Sequence, residues 1–230
     1  MSRILFNRTP LRYGGAIEQP TIDVLKNTPQ LWNASLDDAL KYGGELTKAA
    51  IGAMDLRFDR KHIVVDTKVH MLMPGMCPAI PNWHTDGVPR GKELRPEVKD
   101  VPNIHAQEEM TTSRFHLIVT GAGCLTEFVA QPQLIELPDG PHPDLNKLIN
   151  QATERMRHCE ENIPLKTVTA PSCQAVEFDW WTIHRGVYAT KHEWRYLIRV
   201  AETDHMEPQT DLRQILRTQV QVYVPESFAW

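Results

Sequence analysis

The apolar positions of this chain follow two rhythms. Leu36, Ala39, Leu40, Gly43, Leu46, Ala50 and Met54 keep one helical face, and Ser35 with Asp38 three residues on predicts a capped start to that helix. A second helix is predicted from Leu145, Leu148, Ile149, Ala152, Met156, Cys159 and Ile163, which recur at spacings of three and four until Pro164 stops them. From residue 63 onward the texture is otherwise short and β-rich, in runs at 63–72, 115–120, 125–130, 165–170, 174–179, 194–200 and 218–224. Several alternate with the period of two that half-buried strands show. Residues 1–30, punctuated by Pro10, Gly14, Gly15, Pro20 and Pro29, read as irregular. About eight short strands decorated by helices predict a mainly β fold with flanking helices, of sandwich, barrel or jelly-roll type.

Length and composition sharpen this picture without changing it. A chain of 230 residues with 41% hydrophobic and 23% charged positions can bury one core, so a single domain over 1–230 is expected. Its core is placed at about 63–224, behind an N-terminal irregular segment and helix at 1–62. Disordered and fibrous classes are excluded. A net charge of −4 supplies no overall basic field for a nucleic-acid backbone, so nucleic acid is not indicated as a partner, although a local basic groove stays open. No apolar run reaches the roughly 18–20 residues of a membrane span and the N-terminus lacks a signal-peptide core, so a cytoplasmic protein with no membrane association is expected. Cys77, Cys124, Cys159 and Cys173 form no C-x-x-C pair and are expected to be free, mostly buried thiols.

Chemistry enters at His84-Thr85-Asp86. On an extended backbone an H-x-D triplet presents both side chains on one face, where they can reach one metal ion. About 0.6 such triplets are expected by chance, so the context must decide. A second triplet, His142-Pro143-Asp144, sits where Asp144 would cap the helix that follows and is read as structural. His84-Thr85-Asp86 instead follows a β-rich run and has a candidate third ligand downstream in His184, where the strand 174–179 runs out into a turn. Two histidines and one carboxylate on one face of a metal leave the remaining positions open, which suits non-haem iron(II).

Around these residues, the stretch from about 63 to 200 resembles the iron(II)- and 2-oxoglutarate-dependent dioxygenase superfamily, in the region of its phytanoyl-CoA hydroxylase-like and taurine dioxygenase-like branches. His84-Thr85-Asp86 is similar to the family's proximal H-x-D motif. Gly123-Cys124-Leu125-Thr126-Glu127-Phe128-Val129 resembles the strand often found between the ligands, and His184-Arg185-Gly186 resembles the distal H-x-G. The resemblance implies a double-stranded β-helix, a cupin-like jelly roll, with iron held by His84, Asp86 and His184. It also implies that Arg195 and Arg199, 11 and 15 residues beyond His184 and on one strand face, bind 2-oxoglutarate. Arg195 is assigned to the far carboxylate of that cosubstrate and Arg199 to the end that chelates iron. The expected reaction is hydroxylation of a small molecule, or of an amino-acid-like or nucleobase substrate. It uses O2, releases succinate and carbon dioxide, and is stimulated by ascorbate. Competing readings are a non-catalytic cupin-like protein that binds metal or 2-oxoglutarate, and a zinc hydrolase, which leaves the two arginines without a task.

Secondary expectations surround this centre. Trp83, Trp180 and Trp181 are candidates for an aromatic wall against a planar substrate, with core packing the alternative. Lys68, His70 and Asn82 are candidates to border the pocket, and 87–113 reads as a long connection able to cover it. His62, His105, His116, His158, His192 and His205 show no metal spacing and are expected at the surface or satisfied in the core.

Overall fold

A computed structural model describes residues 1–91, 100–157, 164–219 and 221–225. Its centre is a six-stranded antiparallel sheet in which every inner strand is rich in β-branched and aromatic residues. In chain order the strands are β1 (Ser2–Phe6), β2 (Arg12–Ala16), β3 (Ala34–Ser35), β4 (His62–Leu72), β5 (Arg114–Val119), β6 (Glu127–Val129), β7 (Gln133–Leu137), β8 (Thr167–Thr169), β9 (Gln174–Asp179), β10 (His184–Arg185) and β11 (Glu193–Thr203). The six-stranded sheet runs β2-β9-β5-β11-β4-β3, a three-stranded sheet runs β10-β6-β8, and β1 pairs with β7. The helices are α1 (Ile22–Lys26), α2 (Leu36–Tyr42), α3 (Gly44–Gly52), α4 (Leu145–Arg157) and α5 (Leu212–Ile215), with a 3-10 turn at Ile104–Glu108.

β5 is buried at every position because the large sheet is covered on both faces. On one side Leu46, Ala50, Ile51 and Met54, from α3 and the turn after it, pack with Ile118, Tyr196, Ile198 and Val200. On the other, Phe115, Leu117, Val176 and Phe178 pack with Phe128 and Ile183 of the smaller sheet region. The alternation along β11 therefore sends 196, 198 and 200 to the helices and 195, 197 and 199 toward the smaller sheet. In that inward row, Arg195 lies opposite His70, Leu197 opposite Lys68 and Arg199 opposite Asp66 of β4.

Several expectations change here. The helix predicted from Ser35 is two helices, because Gly44 takes a left-handed φ of 77° that a side chain would resist. Its start is as predicted, with the Asp38 amide donating to Ser35 Oγ. Residues 1–30 are less irregular than expected. β1 pairs with β7 so that Ile4 and Phe6 are buried, and β2 adds an edge to the large sheet. The run 218–224 forms no strand among its described residues. Tyr223 alone pairs there, with Cys77, while Gln219 Nε2 donates to the carbonyls of Leu31 and Thr67. The helix from Leu145 is described to Arg157, and its predicted end lies outside the described residues, as does part of the 87–113 connection. Cys77, Cys124 and Cys173 are free and buried. Among the described residues no helix is long and apolar enough to cross a membrane.

Candidate metal centre

His84 and His184 approach through their backbones. Each amide donates to the other's carbonyl, at 3.0 and 2.9 Å, so a short bridge joins the segment after β4 to β10 and brings the two rings to a centroid separation of 4.6 Å. Each ring then orients itself locally. His84 Nδ1 sits 2.7 Å from the Asn82 carbonyl and His184 Nδ1 3.0 Å from the Thr182 carbonyl. A ring that donates from Nδ1 keeps its Nε2 lone pair for a metal, the arrangement that metal-binding imidazoles use.

Asp86 completes the group. Its two carboxylate oxygens lie 4.0 Å from His84 Nε2 and 3.6 Å from His184 Nε2, and one ligand atom from each residue falls within 4.8 Å of the others. The three side chains form a two-histidine, one-carboxylate cluster able to hold a metal ion. Burial, and next the neighbouring His184, push the His84 imidazole down to about 4, so it is neutral and ready to ligate near pH 7. Burial acts to raise Asp86, but Arg199 and the two histidines outweigh it and hold the carboxyl well below the usual carboxylate range.

Two glycines make room for this packing. Gly87 has φ of 72°, and a Cβ there would sit 2.8 Å from Phe115 Cζ. A Cβ at Gly186 would lie 2.8 Å from Cys77 Sγ and 3.0 Å from Ala79 Cβ. Phe128 and Phe178 close the floor, with ring centroids 5.7 and 5.1 Å from that of His184.

The cluster opens into a cavity of about 250 Å³ that is also lined by Lys68, Thr126, Arg185, Leu197 and Arg199. Arg199 bridges two carboxylates, with Nη1 donating to Asp86 and Nη2 to Asp66, both at 2.7 Å. Burial opposes its charge, but Asp86 and Asp66 together raise it above its ordinary value. Arg195, by contrast, is fully buried. Its Nε donates to the Cys124 carbonyl at 2.8 Å while Nη1 has no partner, and burial pushes the guanidinium below its ordinary value. It is not among the residues that line the cavity.

No family model matches the chain and no curated protein matches it. Among solved structures, the crystal structure of EvdMO1 is similar at a TM-score of 0.33 and 16% identity, over 72% of this chain and 32% of that one. The match thus spans about a third of that chain's length. What the centre can do is set by its own residues.

Of the surrounding candidates, Lys68 lines the cavity, His70 is buried, and Asn82 contributes its carbonyl to His84. The aromatic wall is corrected. Trp83, Trp180 and Trp181 are buried in the core, where Trp180 stacks on His205 and Trp181 meets Phe6 edge-on. The 142–144 triplet turns on itself, with the Asp144 amide donating to His142 Nδ1. His105, His116 and His205 find partners at Pro138 O, Glu202 and Thr111 O.

The sequence reading missed a clamp behind the metal ligands. Glu154 of α4 accepts from Trp83 Nε1 and from Arg185 Nη1, and Asn150 accepts from the Trp83 amide. Arg185 also donates to Glu127 of β6. The residue before one histidine and the residue after the other are thus tied to a single helix turn. The signal lay in polar Asn150 and Glu154 four residues apart, beside an apolar stripe.

Proposed function

We propose that this protein is an iron(II)- and 2-oxoglutarate-dependent oxygenase that hydroxylates a small molecule. The observation that carries the reading is the convergence of His84, Asp86 and His184 at one end of a cavity. The donor set fits iron(II), since neutral imidazoles and a carboxylate suit that ion and leave sites for further ligands. The orphaned Nη1 of buried Arg195 fits a carboxylate, because an unpaired buried guanidinium is costly and an anion relieves it.

The strand order supports a double-stranded β-helix. The chain passes from β4 in the large sheet to His84 beside β10, back to β5, across to β6 and β8, and then through β9, β10 and β11 alternately. A metal at the open end of such a scaffold would be held by side chains from the smaller sheet and faced by the inward row of β11.

Iron bound at this triad would supply the oxidation, with 2-oxoglutarate and O2 consumed, succinate and carbon dioxide released, and one oxygen atom passed to the substrate. The carbonyls of Asn82 and Thr182 fix the imidazole tautomers. Asp86 supplies a negative charge that Arg199 keeps ionised and oriented. Phe178, Leu117 and Leu197 give the chamber an apolar side. Arg195 would hold the far carboxylate of 2-oxoglutarate, for which a guanidinium fork is better shaped than an ammonium. The cavity volume favours a small metabolite over a nucleic-acid segment. Purified protein given iron(II), ascorbate, air and 2-oxoglutarate should release succinate slowly, and faster with its substrate. Failure to form succinate with any of a broad set of metabolites would favour a non-catalytic metal-binding protein.

A further inference from the structure

One cation that lines the cavity, Lys68, has no ion-pair partner among the described residues. Arg199 is matched by Asp66 and Asp86, and Arg185 by Glu127 and Glu154. Among the described residues, Lys68 and Arg195 have no carboxylate within ion-pair distance. The nearby Glu193 carboxylate is occupied by the amides of Ala122 and Gly123 and faces Lys191 at 3.9 Å.

Lys68 stands opposite Leu197 in the pairing of β4 with β11, between the rows of Arg195 and Arg199. Unlike Arg195 it lines the cavity directly. Burial, and next Arg199, push its ammonium below its ordinary value, so an anion placed against it would relieve both penalties. On the reading above, 2-oxoglutarate keeps one carboxylate after chelating the metal, and Arg195 takes it. Lys68, on the lining itself and without an ion pair, then offers a place for a second anion.

We propose that Lys68 binds a carboxylate of the molecule that is oxidised, so that the cavity accepts an anionic small-molecule substrate beside its cosubstrate. This inference rests on the oxygenase reading, since it assigns the first anion to 2-oxoglutarate. It places substrate recognition on β4, at a register position shared with the cosubstrate-binding row, rather than on the 87–113 connection.

Calorimetric titration of the zinc(II)-loaded protein tests it, because zinc fills the same donor set without redox chemistry. With 2-oxoglutarate saturating, acetate should bind and the isosteric neutral acetamide should not. Lys68→Met should weaken acetate by ~10-fold or more while leaving 2-oxoglutarate affinity within ~3-fold, and Lys68→Arg should keep acetate within ~3-fold. Acetate binding unchanged in Lys68→Met, or absent from the wild type, overturns the proposal. So does a ~10-fold loss of 2-oxoglutarate affinity in Lys68→Met, which would give Lys68 to the cosubstrate instead. If the wild type binds no 2-oxoglutarate, the oxygenase reading fails. The acetate titration, run without it, still decides whether Lys68 is an anion site.

Discussion

The guanidinium of Arg185 lies over the indole of Trp83, 4.2 Å from the ring centroid, and Glu154 accepts a hydrogen bond from each. Because Trp83 precedes His84 and Arg185 follows His184, this contact couples the two imidazoles through side chains as well as through their paired backbones. Glu154→Ala should leave the chain folded but lower iron(II) affinity by roughly 10- to 100-fold, as loss of partners behind metal ligands does. Equilibrium dialysis with iron(II) under anaerobic conditions checks this, with circular dichroism reporting the fold. Unchanged affinity would reduce the clamp to a packing feature.

Gly87 follows Asp86 directly in a left-handed conformation with no space for a methyl group. Gly87→Ala should cost about 1–2 kcal/mol from the backbone alone, with a further penalty from the contact to Phe115. Displacement of Asp86 should also reduce metal content. Denaturant unfolding and metal analysis on the same sample give both numbers.

Glu202 is a fully buried anion near the end of β11. It accepts from Arg114 and His116 and from the amides of Arg57 and Phe58. Burial would raise its carboxyl, but His116, Arg114 and the Phe58 amide outweigh that and hold it down at about 2, against an ordinary 4.5. A depressed carboxylate contributes stability that is complete above the unfolded value and disappears as pH falls through the folded one. Stability should therefore drop between pH 4.5 and about 2. Glu202→Gln should flatten that drop and cost about 3 kcal/mol near neutral pH, because it leaves Arg114 without its buried partner. Urea unfolding at several pH values checks both.

Much of this was legible in the chain because it is local. The period-two runs mark β4, β5, β9 and β11, and an H-x-D on extended backbone places His84 and Asp86 on one face whatever the topology. What was not legible depends on contacts between distant segments. The break in the predicted helix turns on the φ of Gly44, and β1 is a strand only because β7 lies beside it. The tryptophans flanking the histidines show how composition misleads. They look like a substrate wall in sequence, yet Trp83 is tied to α4, Trp180 stacks on His205 and Trp181 packs against Phe6. Arg195 and Arg199 share a face as their spacing requires, but only Arg199 has aspartates beside it. Asp66 and Asp86 engage Arg199, and Arg195 is left with an unpartnered nitrogen. No spacing argument could have divided them in that way.

The proposed division between these two arginines gives contrasting variants. Arg199→Met should raise the pH at which Asp86 protonates and should destabilise the fold by about 1.5–3 kcal/mol, since buried Asp66 and half-buried Asp86 lose their common cation. Arg195→Met removes a buried charge that nothing in the chain balances and should be neutral or stabilising without ligand. Thermal unfolding of the two variants side by side distinguishes them, and equal losses would contradict the assignment.

The central claim is that His84, Asp86 and His184 hold one iron(II) to which 2-oxoglutarate binds with help from Arg195. Anaerobic titration of the iron(II)-loaded protein with 2-oxoglutarate, followed by visible absorption, tests it most directly. A weak charge-transfer band should saturate at one equivalent per chain and vanish in His84→Ala, Asp86→Ala or His184→Ala. It should persist in His142→Ala and need at least ~10-fold more 2-oxoglutarate in Arg195→Ala. An iron-loaded wild type with no such band, or a band indifferent to the three ligands, would contradict the account.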